Sequence, residues 1–235
     1  MAVLTCPPQN ALLASLPQDV IARLRPTLQR VQMPAGCTLF EPGAAVRDVY
    51  FPESAAVAMS FALENGSSAE VALIGREGMV GVRLLLGESS LNVRARVQIA
   101  GVGLRLPAAG LLDETRRGGA LMQVLLQYTA SYIGQIVQTA ACNRHGTVEQ
   151  RLCRWLLLSL DRAPGTALAM THESIAVALG VKREGITEAA GRLRSQGAID
   201  YRRGHIAVLN RAMLERHTGE FYQPAAVEPA RRVVG

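Results

Sequence analysis

Cysteine is scarce and scattered: Cys6, Cys37, Cys142 and Cys153 form no CxxC pair and show no Cys/His ligand spacing. Neither a zinc site nor a metal cluster can be read from them, and ordinary buried thiols in a reducing compartment are the favoured reading. Histidine is absent before His145, and His145, His172, His205 and His217 make no nucleophile–base or metal spacing. His172 at a helix start and His205 at a hairpin turn are expected as ordinary surface residues, so nothing supports an enzyme. Every apolar stretch is broken well short of the roughly 18 residues a membrane span needs. Met1 to Pro8 lack the basic cap and apolar core of a secretory signal. The expectation is a soluble cytoplasmic protein with no membrane association, no metal and no cofactor. Lysine is almost missing too, with Lys182 alone beside 24 arginines.

The arginines are unevenly placed. Residues 1–140 carry 11 basic against 10 acidic side chains, whereas residues 141–235 carry 14 against 9. A near-neutral front joined to a basic back points to a polyanionic partner for the back, with nucleic acid ahead of a membrane. A codon bias towards arginine produces the same excess, so charge alone leaves the matter even.

Between Leu12 and Leu28 apolar residues recur at helical spacing, broken by Pro17 and Pro26, which predicts one or two short helices. From Val31 to Leu106 short runs take over, at 37–40, 48–51, 57–61, 69–74 and 95–99. Turn chemistry separates them at Pro34-Ala35-Gly36, Pro42-Gly43, Phe51-Pro52-Glu53, Asn65-Gly66 and Gly101-Val102-Gly103. Such spacing reads as a β-sandwich or roll. From Gly119 to Asn143 no proline appears, and two apolar seams run side by side on one long helix. Leu121, Leu125, Tyr128 and Tyr132 make the first, and Met122, Leu126, Thr129, Ile133, Ile136 and Ala140 the second. One seam can pack on the chain's own roll and the other on a twin helix; we assign dimerisation to Leu121, Leu125, Tyr128, Tyr132 and Ile136. A helix buried within a single domain is the alternative. Thr147-Val148-Glu149-Gln150 is a capping box opening a further helix, so residues 143–147 are expected as a hinge.

The richest stretch begins at Thr171. Ile175 and Leu179 point inward from a first short helix, Ala176 permits close helix crossing, and Gly180 allows a sharp reversal. Val181, Ile186, Ala190 and Leu193 anchor a second helix, which leaves Lys182, Arg183, Glu184, Thr187 and Glu188 outward to meet base edges and phosphates. This is a helix-turn-helix signature. Residues 197–201, Arg202-Arg203-Gly204-His205 and residues 206–208 read as a strand, a basic turn and a return strand: a wing able to lay Arg202 and Arg203 along a phosphate backbone. The expected DNA-facing set is Thr171, Lys182, Arg183, Glu184, Thr187, Glu188, Arg192, Arg202 and Arg203.

In this order of parts the chain resembles the Crp/Fnr family of bacterial transcription regulators. The matching stretches are Pro34-Ala35-Gly36, Tyr50-Phe51-Pro52-Glu53, Gly75-Arg76-Glu77-Gly78, the long helix, Val148 to Leu152, and Thr171 through Ile199. The resemblance implies an α+β chain. Its parts are an N-terminal β-roll or jelly-roll sensor (1–118) like a cyclic-nucleotide-binding domain, a dimerisation helix and hinge (119–146), a C-terminal winged helix-turn-helix (147–222) and a flexible tail (223–235). It also implies a homodimer on palindromic double-stranded DNA, with RNA polymerase as a further partner. Arg183 and Glu184 match the Arg-Glu pair that opens the family's recognition helix. The second family arginine, four residues after the Glu, is replaced by Glu188, Gly185 stands where a hydroxyl residue is usual, and Lys182 replaces a usual serine cap.

Cyclic-nucleotide-binding relatives carry a Gly-Glu helix start followed by an Arg-Ser or Arg-Thr pair. Here Gly78-Met79-Val80-Gly81 and Leu91-Asn92 occupy those places, so cyclic AMP is disfavoured. Arg94 and Arg96 share one strand face and are the candidate contacts for another small anionic effector; a plain solvent face is the alternative. Cys6 alone cannot rebuild the cysteine cluster of oxygen-sensing relatives, and the sensor half has no histidine for haem. A second reading makes the chain an effector-binding scaffold whose winged helix contacts protein and not DNA.

Overall fold

A computed structural model describes residues 7–63, 68–87, 93–163 and 165–224. They fall into two compact units, one of residues 7–59 and 74–134, the other of residues 60–63, 68–73 and 135–224. The division lies inside the long helix, not at 146/147.

The first unit opens with α1 (Ala11–Ala14) and α2 (Gln18–Leu24). Fully buried Asn10 caps α1 by accepting from the amides of Leu12 and Leu13, while its own amide donates to the carbonyls of Pro52 and Gly78, both at 2.9 Å. Every polar atom of that side chain is used, as burial requires. Strands β1 (Gln29–Met33), β2 (Thr38–Phe40), β3 (Asp48–Pro52), β4 (Ala56–Ala62), β5 (Ser68–Ile74), β6 (Arg94–Ile99) and β7 (Gly101–Pro107) follow, the end of β4 and β5 up to Leu73 being counted with the second unit. They form two sheets, ordered β1-β7-β3 and β2-β6-β4-β5. The expected runs coincide with β2 to β6 to within one residue at each end. Alternation puts Val49, Phe51, Ala95, Val97, Leu104 and Leu106 in the core with almost no exposure.

One expected turn is corrected. Gly101-Val102-Gly103 begins β7, where Gly103 pairs with Val31 on one side and Pro52 on the other. A Cβ on Gly101 falls 2.4 Å from the Ala55 nitrogen, and one on Gly103 falls 2.6 Å from the Met33 sulfur. These glycines let backbones approach rather than reverse the chain. The Asn65-Gly66 turn and Leu91-Asn92 lie outside the described residues, as do Cys6 and positions 225–235 of the expected tail.

After α3 (Ala108–Thr115) comes the long helix α4 (Ala120–His145). The seam expected to pair the helix with a twin begins on its inner side. Leu121, Leu125 and Tyr128 are buried within the first unit. The Tyr128 hydroxyl donates to the Met79 carbonyl at 3.1 Å, and its ring stands where a Cβ on Gly78 would come within 2.6 Å. Side chains so consumed cannot also meet a twin helix. Tyr132, packed on Tyr128, and Ile136 are only partly exposed. The open apolar face carries Leu126, Ala130, Ile133, Val137 and Ala140, with Leu126, Ile133 and Val137 more than half exposed. Their alternating spacing of four and three is that of a coiled-coil seam.

The second unit contains α5 (Val148–Leu160), β8 (Ala167–Ala169), α6 (His172–Leu179), α7 (Arg183–Ser195), β9 (Ile199–Arg202), β10 (His205–Val208) and α8 (Arg211–Thr218), with a sheet ordered β8-β10-β9. Leu152, Leu156, Ile175, Ile186, Leu193, Ile206 and Leu214 form its core. The Thr147–Gln150 capping box is present. The expected hinge shrinks, because residues 143–145 belong to α4 and the break is Gly146-Thr147. A Cβ on Gly146 would lie 2.7 Å from the Cys142 carbonyl, which accepts the Gly146 amide at 2.8 Å. In this unit Glu70 of β5 accepts from the Trp155 indole at 3.4 Å beside a small cavity lined by Gln135, Thr139, Arg151 and Arg154.

Candidate nucleic-acid interface

The sequence builds α6 and α7 from their ends inward. Thr171 caps α6 by accepting from the Ser174 amide at 3.1 Å, and the Ser174 hydroxyl accepts in turn from the Thr171 amide. Gly180, at φ +63°, ends α6 in the left-handed conformation that glycine adopts without strain. Lys182 then sits at the N-cap of α7 with no side-chain cap bond, as its replacement of a serine leads one to expect. Ile186, Ala189, Ala190 and Leu193 fix the inner face of α7. Ala189 adds itself to the anchors read from the sequence.

The outer face carries Lys182, Arg183, Glu184, Thr187 and Glu188, all exposed. Arg183 approaches Glu173 of α6 only at 3.9 Å with both side chains two-thirds exposed, a pairing too weak to hold it. Glu184 lies in the first turn of α7, where the helix dipole favours a carboxylate. Glu188 is tied by Arg192, whose guanidinium donates to Glu188 and to Glu149 of α5, each at 2.7 Å. Arg192 is therefore spent bracing α7 on α5, with its pKa raised above the ordinary arginine value by Glu149. His217 of α8 joins the same Glu149 at 3.1 Å. This brace was missed in the sequence because its members lie on three helices.

The wing is a two-residue hairpin. Arg203 and Gly204 have φ of +48° and +81°, the sign pattern of a type I′ turn, and Arg203 is the one described non-glycine residue with positive φ. Arg202 pairs with Asp200 at 3.0 Å, which also holds Arg194 at 3.2 Å, while Arg203 stands exposed at the tip. Strand β8, unforeseen, adds a third member to this sheet by pairing with β10. Thr171 is drawn in too, its methyl 3.8 Å from where a Cβ on Gly204 would stand.

His172 corrects another expectation. It is no plain surface residue: its ring stacks on Tyr201 of β9 with centroids 4.1 Å apart, and Nδ1 lies 3.1 Å from the Thr187 hydroxyl. Burial, then the charge of Arg183, hold its pKa below the ordinary 6.5. It joins the start of α6, the middle of α7 and the wing.

Arg94 and Arg96 share a face of β6 as expected, but it is the outer one, since Ala95 and Val97 fill the core. Arg94 pairs with Glu41 at 2.8 Å and Arg96 donates to the Gly36 carbonyl at 3.1 Å. These are the surroundings that the solvent-face alternative describes. Among the described residues of the first unit the buried charges are Glu53, paired with Arg30, and Glu114, paired with Arg23; no arginine is buried there.

Comparison with known proteins gives two matching family models. Residues 30–117 match the cyclic nucleotide-binding domain and residues 150–217 the Crp-like helix-turn-helix domain. The global nitrogen regulator of Synechococcus elongatus is 28% identical over 202 residues, covering 80% of this chain and 89% of that protein. Among solved structures, FixK2 from Bradyrhizobium japonicum matches with a TM-score of 0.69 at 19% identity, over 82% of this chain and 98% of the other. TTHB099, a transcriptional regulator of the CRP family from Thermus thermophilus, matches with a TM-score of 0.65 at 22% identity, over 86% and 100%.

Proposed function

Because the chain belongs to the Crp/Fnr family and is a DNA-binding transcription regulator, we propose that it acts as a homodimer on a two-fold symmetric promoter site, with α7 of each copy in a major groove. The carrying observation is the exposed face of α7, where Arg183 and Glu184 stand at the helix entrance with no strong partner. An arginine fork matches the two acceptors of guanine, and a carboxylate matches the cytosine amino group. Lys182, Arg202 and Arg203 serve phosphates and set register without reading sequence. Glu188 and Arg192 neutralise one another and stand aside from reading, so the site differs from that of relatives with arginine at position 188.

The second copy binds through Leu126, Ala130, Ile133, Val137 and Ala140. Half-sites then lie about one helical turn, roughly 34 Å, apart. Control runs through an effector of the roll or through abundance of the protein. A cyclic nucleotide is a poor fit, because Gly78-Met79 and Leu91-Asn92 stand where cyclic-nucleotide-binding relatives carry Gly-Glu and an Arg-Ser or Arg-Thr pair. RNA polymerase is the further partner and the cytoplasm the place of action; no described helix is long and apolar enough to cross a membrane. The chain carries no catalytic role, its family being one of regulators. Selection of bound duplexes from a random pool, with and without candidate effectors, tests the reading. It expects a palindrome with that spacing, and recovery of no enriched sequence at low salt overturns it.

A further inference from the structure

We propose that His172 is a positioning residue that locks Thr187 so that α7 presents a methyl group, not a hydroxyl, to a thymine in the half-site. The inference rests on the DNA-reading role of α7 and adds the identity of one contact.

The argument begins with the hydroxyl of Thr187. Its one proton goes to the Arg183 carbonyl, 3.1 Å away and one turn back on α7. The oxygen can then only accept from a further partner, so His172 Nδ1, at 3.1 Å, must carry the hydrogen. A neutral imidazole has one ring proton, and placing it on Nδ1 leaves Nε2 bare. Nε2 is buried and has no hydrogen-bond partner. The charged ring is disfavoured by burial and by Arg183, so the imidazole stays neutral through the neutral range. Stacking on Tyr201 fixes the plane of the ring, so it cannot swing away from Thr187.

With its proton on the Arg183 carbonyl and one lone pair on His172, exposed Thr187 has no hydroxyl donor left for a base, and its γ-methyl is the group it offers to a thymine. Apolar contact with the C5-methyl of thymine is the major-groove interaction open to such a group. Thr187 lies three residues after Glu184, on the same outer side of the helix, within the span that reads adjacent base pairs.

The test uses the full chain and the duplex recovered by selection, with thymines in one half-site replaced singly by deoxyuridine, which removes only the C5-methyl. Binding is followed by fluorescence anisotropy at fixed salt. One replacement is expected to weaken the parent roughly fourfold, the effect of one buried methyl. Thr187→Val keeps that sensitivity and Thr187→Ser loses it. His172→Phe, which keeps the stack and loses the donor, reduces the sensitivity, and His172→Asn restores it by donating from a similar position. A parent indifferent to every deoxyuridine, a Thr187→Ser variant as sensitive as the parent, or an unaltered His172→Phe variant overturns the proposal while leaving DNA binding intact. Failure to bind any duplex instead overturns the reading beneath it.

Discussion

Replacing Glu70 by glutamine should make the second unit more stable, and increasingly so as pH rises. Glu70 is the one carboxylate among the residues lining its cavity, and its pKa is pushed from the ordinary 4.5 up to about 7, chiefly by burial. The Trp155 hydrogen bond and the charges of Arg162 and Arg154 act in the opposite sense and are outweighed. Arg154 is committed elsewhere, donating to the Phe221 carbonyl at 2.8 Å and to the Thr139 hydroxyl at 3.2 Å. The folded chain therefore binds this proton more tightly than the unfolded one. Stability from Glu70 is fully present below pH 4.5 and drains away as pH rises through about 7. A full shift of that size, at roughly 1.4 kcal/mol per unit, amounts to about 3 kcal/mol, and partial solvent access lowers the expected value to about 1–2 kcal/mol. Glutamine keeps an acceptor for the indole and carries no charge. The variant should match the parent near pH 4.5 and melt several degrees higher at pH 8, on the order of 2–4 °C per kcal/mol. Trp155, the only tryptophan, reports the transition by its fluorescence at the site itself. A melting difference that stays flat between pH 4.5 and 8 would refute the reasoning.

Arg183→Ala should cost about 1–3 kcal/mol of discrimination at a single base pair in a selection profile, and an unchanged profile removes it from the reading set. Arg203→Gly relieves a left-handed residue and should raise thermal stability by up to about 1 kcal/mol. The same change lowers the slope of log affinity against log salt by about 1, and an unaltered slope rules out a phosphate contact. Ile133→Glu should yield monomers in analytical ultracentrifugation, whereas Leu125→Ala should lose about 2–5 kcal/mol of stability yet remain paired. The reverse pattern would return the dimer seam to Leu125.

What was legible in the sequence is what depends on nearest neighbours. The capping box at Thr147, the reversal at Gly180 and the alternation along β6 each need only a few consecutive residues, and all are present. Both faces of α4 were visible as well, although Ala130 and Val137, not Thr129 and Ile136, complete the open one. Which of them faced inward was not, because that depends on Gly78 offering Tyr128 a place to sit, 50 residues away in the chain. Gly101 and Gly103 misled for the same reason, their vacancy being required by Ala55 and Met33 and not by a turn. In the interface, residue type found the outward face of α7, while the commitments of Arg192 and His172 needed partners on α5, α7 and β9. The Glu70 site gave no signal, since a lone acid within a strand reads as solvated until the structure places Trp155 against it.

The scarcity of lysine leaves a practical opening. Lys182 is the sole lysine of the chain, exposed at the N-cap of α7, the helix proposed to read DNA. An amine-directed dye acting above pH 8 thus has one side chain to modify besides the terminal amine. A single fluorophore can be seated at the edge of the groove contact without engineering a cysteine, and its quenching on titration with duplex would time the arrival of each half of the dimer.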